Sequence, residues 1–254
     1  MTNVQQSGRV ALITGSSRGI GAAVARLLAS RGMRVVINYR TRRDEADDVV
    51  ASISSAGGRA MAAQADVRDG PAVFGMVEQV RAAMGDVEVL VHNALIPYAI
   101  KSFDEMSWDE LGGKLDQEMR AAFILTKAVV PGMTRRRYGR IVYMGTGLSR
   151  RPREGMIALG TSKGAVGSFA RFVAEEFGPR GITVNVVAPG PVADTTIGKA
   201  ALDQEQTRRQ TEQTALGRLA SPDDVARAVA FYAGDDSEFI TGTTAPVNGG
   251  LAMN

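Results

Sequence analysis

The chain has 254 residues, 44% of them hydrophobic and 22% charged, with a formal net charge of +3, no cysteine and a single histidine. That length holds a sizeable core, as one large α/β domain or two small ones, and the composition is ordinary for a soluble globular protein. Disulfides and thiolate metal sites are excluded, one histidine is too little for a histidine-based metal site, and so small a net charge does not point to a nucleic-acid partner.

From the amino terminus, Met1 to Gly8 lacks the apolar core of a signal peptide, and no later apolar run approaches the roughly 20 residues of a membrane span. A cytoplasmic protein with no membrane partner is the expectation. Without a linker, repeat or low-complexity tract, residues 1–254 read as a single domain. Strand-length apolar runs alternate with helical-period segments throughout, the pattern of βαβ units around a parallel sheet. The first strand is expected at Val10–Thr14 and passes straight into Thr14-Gly15-Ser16-Ser17-Arg18-Gly19-Ile20-Gly21. A buried strand that turns through glycines into an amphipathic segment is a phosphate cradle, because free N–H groups at a helix N-terminus point at an anion. Gly15 permits the tight turn, Gly19 lets backbone approach a pyrophosphate, and Gly21 lets the helix pack on the strand.

Further strands are expected at Val35–Asn38, Ala60–Ala65, Val87–Val91, Arg140–Met144 and Ile182–Val187. Helices are expected near Asp44–Ser55, ending at Gly57-Gly58 where the chain can reverse, then at Pro71–Met84, from Trp108 to about Met133, and at Ile157–Phe177. Residues 193–214 are polar and rich in Thr and Gln, and Ser221-Pro222-Asp223-Asp224 is a well-capped helix start. Lysines number 5 against 25 arginines. Two readings stay open for Arg135-Arg136-Arg137, Arg140, Arg150, Arg151 and Arg153: a solvated basic face, or a docking patch for an acidic carrier protein or anionic substrate.

With Ala65-Asp66-Val67, Asn93-Ala94, Gly181 to Gly190, Ile240-Thr241-Gly242 and Val247-Asn248-Gly249-Gly250 set beside the glycine loop, nearly the whole chain resembles the short-chain dehydrogenase/reductase family, in its 3-oxoacyl carrier-protein reductase branch. The resemblance implies an α/β, single-domain, doubly wound Rossmann fold, a parallel sheet of about seven strands with helices on both faces, and a homodimer or homotetramer. It also implies that residues 193–214 are a substrate lid. Cofactor contacts implied by the motifs are Gly15, Ser17, Arg18, Gly19, Ile20, Gly21, Tyr39, Arg40, Asp66, Val67, Asn93, Ala94, Lys163, Pro189, Gly190 and Val192. Of these, Asp66 and Val67 would border the adenine, Asn93 the ribose, Val192 the nicotinamide amide, and Lys163 the nicotinamide ribose.

Charge argues for the phosphorylated cofactor. A carboxylate after the second strand would bind ribose hydroxyls and repel a 2′-phosphate, yet Asn38-Tyr39-Arg40 stands there, with Arg42 and Arg43 nearby. Guanidinium pairs well with phosphate, and Arg18 can reach the same group, so NADP(H) is expected.

At the catalytic positions the match breaks. The family draws its proton from a Tyr four residues before a Lys, beside a Ser after strand five and an Asn in the preceding long helix. Lys163 is in place, Thr146 replaces the Ser, and Leu159 stands where the Tyr belongs. The Asn is absent: counting back from Phe123 reaches Glu118, counting forward from Trp108 reaches Leu115, and the segment carries about three extra residues. An apolar side chain cannot donate a proton. Substitutes are Thr146, Tyr98, Glu118 or a water held by Lys163, and an aromatic at 98 is also explained by packing alone. Alternatively the substrate supplies the proton. The expectation is an NADPH-dependent ketoreductase with an atypical proton donor, acting on a polyketide-like or aromatic ketone, its small-molecule substrate anionic or carrier-bound. The other reading is a cofactor-binding homologue that is non-catalytic or catalyses a non-redox dehydration, isomerisation or cyclisation.

Overall fold

The computed structural model describes residues 8–193 and 203–253; residues 1–7, and 194–202 of the expected lid, lie outside them. The strands are β1 (Val10–Ile13), β2 (Arg34–Tyr39), β3 (Arg59–Gln64), β4 (Val89–His92), β5 (Gly139–Met144), β6 (Ile182–Pro189) and β7 (Thr244–Val247). They form one seven-stranded sheet in the order β3-β2-β1-β4-β5-β6-β7, with every neighbouring pair parallel. Among the described residues the α-helices are α1 (Gly19–Ser30), α2 (Arg43–Ser55), α3 (Gly70–Met84), α4 (Trp108–Arg136), α5 (Ile157–Phe177), α6 (Gln204–Gln213) and α7 (Pro222–Tyr232).

Successive side chains of a strand point to opposite faces, so strands covered on both sides read as unbroken apolar runs. Val10 and Leu12 enter the core under α3, α4 and α5, whereas Ala11 and Ile13 enter the core under α1, α2 and α7. The doubly wound arrangement expected from the sequence is therefore the one observed. Chain reversal at Gly57 uses a left-handed φ of +81°. At the start of α7 the Ser221 hydroxyl accepts from the Asp224 amide at 3.2 Å, and the Asp224 carboxylate accepts from the Ser221 amide at 2.8 Å. That reciprocal box is the cap legible in Ser221-Pro222-Asp223-Asp224.

The end of the sheet where β1 and β5 begin is locked by charge. Asp235 accepts from Arg9 at 2.8 Å and from the Tyr138 hydroxyl at 2.9 Å. The guanidiniums of Arg9 and Arg140 flank the Tyr138 ring at 4.0 and 4.2 Å, and Arg140 is only 4% exposed. Arg140 is thus a structural residue, not part of a docking patch. Arg135 and Arg136 both pair with Asp86, at 3.1 and 3.2 Å, so the continuous basic surface open in the sequence reading is broken up. Asp235→Ala leaves two guanidiniums without their shared acceptor and is expected to cost about 2 kcal/mol, read as a lower urea midpoint with unchanged slope.

Strand order reverses between β1 and β4. In open α/β sheets the crevice beyond the carboxyl ends of strands at such a point is where ligands bind.

Candidate functional site

A cavity of about 1000 Å³ opens at that crevice and is lined from the carboxyl ends of all seven strands, from Gly15 after β1 to Leu251 and Ala252 after β7. Its floor at the switch point is pinned by Thr14. The buried Thr14 hydroxyl accepts from the Asn93 and Ala94 amides at 3.0 and 2.9 Å and lies 3.3 Å from His92 Nδ1. With its acceptor capacity taken by two amides, the hydroxyl directs its own hydrogen to Nδ1, which leaves the proton of a neutral His92 on Nε2. Burial, with the Lys163 charge adding to it, lowers the His92 pKa to about 4, so His92 is a packed neutral side chain.

The glycine loop is tight for steric reasons. A Cβ on Gly15, where φ is +60°, would stand 2.8 Å from Ala94 Cα. One on Gly21 would stand 2.6 Å from Asn93 Nδ2 and 2.7 Å from the Gly15 carbonyl. Gly21 consequently stands behind the cavity wall and serves packing, whereas Gly15, Ser17, Arg18, Gly19 and Ile20 line the cavity. Asn93 lines it too, and spends its amide on the Thr14 and Gly15 carbonyls at 3.0 and 3.1 Å. Asn38 is a brace the sequence reading passed over. Its carbonyl oxygen accepts from the Gly15 amide at 3.2 Å while its amide donates to Ala65 at 3.1 Å, tying the ends of β1, β2 and β3. The α1 amides have no side-chain cap and no acidic residue in the first turn, which leaves donors facing a cavity suited to an anion.

At one end of the cavity Arg18, Arg40, Arg42 and Arg68 line the wall with Tyr39, Asp66 and Val67. The Arg68 guanidinium binds Asp66 at 2.6 Å and holds its carboxyl at about 2. Arg40 is 3.9 Å from the same carboxylate and Arg42 pairs with Glu45 at 2.6 Å. Four guanidiniums against two carboxylates fit a phosphate on the ribose. Pro189, Gly190 and Val192 line the cavity from the end of β6, so the donor set, the glycine cradle and the basic end together fit a dinucleotide.

Lys163, Leu159, Thr146 and Tyr98 are brought together in the wall of this cavity. Thr146 caps the turn at Gly147–Ser149 by accepting from the Leu148 amide at 3.3 Å, which leaves its hydroxyl hydrogen free to donate. Burial pushes the half-buried Tyr98 phenol up, so it stays protonated. Glu118 is placed otherwise than the sequence reading allowed. It is fully buried, does not line the cavity, accepts from Lys163 at 2.7 Å on one oxygen and binds Lys114 on the other. Burial pushes its carboxyl up, but the charges of Lys163 and Lys114 outweigh this and hold it at about 2. A carboxylate ionised at neutral pH has no proton to give, so Glu118 is withdrawn as a donor. Lys114 is the residue missed. It is 3% exposed and also donates to the Ile96 carbonyl at 2.8 Å. Its spacing of four before Glu118 on α4 was the available signal.

The mouth carries Arg151 and Arg153, while Arg150 stays outside the lining. Arg151 donates to the Leu251 carbonyl. Helix α6, the described part of the expected lid, contributes Gln210 and Gln213 to the lining.

A family model described as Enoyl-(Acyl carrier protein) reductase matches residues 15–252. A 3-oxoacyl-[acyl-carrier-protein] reductase FabG of Staphylococcus epidermidis is 37% identical over 246 residues, 96% of this chain and 98% of that one. A variant of a Serratia marcescens short-chain dehydrogenase/reductase superposes with a TM-score of 0.88 at 32% identity, covering 98% of this chain and 99% of that one. A blue fluorescent protein from a metagenomic library, solved in complex with NADPH, gives 0.88 at 36% identity over 97% and 99% of the two chains. Among the described residues no helix is long and apolar enough to cross a membrane.

Proposed function

The chain belongs to the short-chain dehydrogenase/reductase family, in its 3-oxoacyl-[acyl-carrier-protein] reductase-like branch, and from that premise we propose that it is an NADPH-dependent ketoreductase whose proton donor is not the family's tyrosine. It is an NADP-dependent oxidoreductase. The observation that carries the finer reading is the pair Lys163 and Thr146 in one cavity wall with Leu159.

Gly15, Ser17, Gly19 and Ile20 hold the pyrophosphate on the α1 amides, Arg18 and Arg40 take the 2′-phosphate, and Asp66 and Val67 border the adenine. Asn93, Ala94, Pro189, Gly190 and Val192 frame the nicotinamide half, whose ribose Lys163 holds. When bound, the reduced nicotinamide supplies a hydride to a carbonyl carbon. Thr146 donates a hydrogen bond to the carbonyl oxygen, which lowers the cost of the charge developing there. Leu148, Met156 and Leu159 surround the carbon skeleton, and Arg151 and Arg153 at the mouth support an anionic or carrier-bound substrate, a polyketide-like or aromatic ketone. Gln210 and Gln213 of α6 would meet it from the lining. Exposed Phe123 on α4 and Phe172 on α5 support a homodimer or homotetramer.

Leu159 favours a second reading, a cofactor-binding homologue that is non-catalytic or catalyses a non-redox step. NADPH binding by its own fluorescence, followed by NADPH consumption with a panel of ketones and quinones, separates the two: tight binding without turnover on any acceptor supports the second. Arg40→Ala is expected to weaken NADPH about 10-fold, by loss of a charge-assisted pair, and to leave NADH nearly unaffected in the same titration. Equal losses would remove Arg40 from the 2′-phosphate.

A further inference from the structure

With leucine at 159, the group that protonates the product is unassigned, and the buried cluster behind the cavity offers one. We propose, resting on the reductase reading above, that Lys163 is itself the general acid, and that Lys114 is the positioning residue that makes this possible beside Glu118.

Of the three charged groups only Lys163 lines the cavity; Glu118 and Lys114 stand behind it, 0% and 3% exposed. Glu118 divides its two oxygens between the two ammonium groups, so the cluster carries one positive charge more than it neutralises. The balance decides the chemistry. Were Lys163 alone paired with Glu118, giving up a proton would strand a buried carboxylate, which is costly. With Lys114 present, loss of the Lys163 proton leaves a neutral Lys114–Glu118 pair, and the excess buried charge disappears. In the reaction the carbonyl carbon gains a hydride, its oxygen takes the proton from Lys163 Nζ, and Lys163 is left as the neutral amine. Water entering the cavity from its mouth returns the proton to Lys163 Nζ after product leaves, Lys163 being the member of the cluster that lines it. Lys114 is held beside Glu118 by the Ile96 carbonyl at 2.8 Å.

The ionisable groups facing the cluster are few. His92, at the end of β4, is neutral and its Nε2 lacks a hydrogen-bond partner among the described residues. The Tyr98 ring, in the loop after β4, lies 5.6 Å from Lys114 Nζ. Tyr143 of β5 stands edge-on to His92 at 6.1 Å with its hydroxyl bound to Thr126. Burial lowers the Lys114 pKa against the pull of Glu118, while the Ile96 carbonyl and Glu118 both accept from its ammonium.

The test uses opposite charge changes. Lys114→Met leaves Glu118 wholly to Lys163, so the alkaline limb of the kcat profile moves up by about one pH unit or more; Glu118→Gln removes the counter-ion, and the limb moves down by a similar amount. Lys114→Met keeps a neutral buried pair and is the variant that folds in any case. With five lysines in the chain, lysine-selective 13C labelling resolves Lys163 in the cofactor-free protein, where its titration moves in the same directions. Turnover whose alkaline limb stays in place in Lys114→Met overturns the proposal alone. Absence of turnover on every carbonyl by the unmodified protein overturns the reductase reading, and the proposal with it.

Discussion

Glu118→Ala lowers the stability of the fold by about 3–5 kcal/mol at pH 7, the cost of leaving buried charge without its partner. Two ammonium groups then remain between α4 and α5 with no carboxylate between them, their side chains almost wholly buried at 1% and 5% exposure for Lys114 and Lys163. The acid limb separates this charge effect from a simple cavity. The Glu118 carboxyl is held at about 2 against an ordinary 4.5. A carboxyl depressed in the folded state adds stability above its unfolded value and loses it as pH falls toward the folded value. Urea midpoints of the unmodified protein should therefore decline between pH 4.5 and 2 more steeply than those of Glu118→Ala. Adding Lys114→Met to Glu118→Ala removes one of the stranded charges and is expected to recover part of the loss. Equal acid slopes in the two proteins would show that Glu118 does not carry its charge in the fold.

What the residues disclosed in advance follows from how each is constrained. Val10–Ile13 was legible as a strand because both of its faces are covered, which demands four apolar residues in a row. The glycine loop was legible because a side chain at Gly15 or Gly21 would overlap backbone or Asn93, so no other residue type serves there. β7 was less visible, being short, only half-buried and interrupted by Pro246. Lys114 was hard to single out for a different reason, its spacing of four before Glu118 being the one hint. A lysine on a long helix among Asp109, Glu110 and Asp116 has the pattern of a solvated face, and only the loop after β4, which brings the Ile96 carbonyl onto its ammonium, turns it inward. Glu118 was singled out by counting against a family pattern, but counting could not supply its ionisation, which depends on two lysines contributed by different helices.

The second large effect is a gain. Leu159→Tyr restores a phenol four residues before Lys163 on the same face of α5, the spacing at which two helical side chains meet, and it does so at a cavity-lining position. General acid catalysis by a placed donor contributes about 10²–10⁴-fold. The lower end is expected here, about 10²-fold in kcat on a small ketone. The Lys163 charge that would depress the phenol's pKa is already directed at Glu118, 2.7 Å away, and a phenol that is less acidic is a poorer donor at neutral pH. The same reasoning orders a second substitution. Adding Glu118→Gln to Leu159→Tyr frees the Lys163 charge for the phenol and should raise kcat further, wherever the doubly substituted protein stays folded by circular dichroism at the assay temperature. Steady-state rates with saturating NADPH read both steps. If Leu159→Tyr binds NADPH as the unmodified protein does and still gains nothing, the wall around Leu148, Met156 and residue 159 holds the carbonyl away from α5, and the donor position has moved along with the donor.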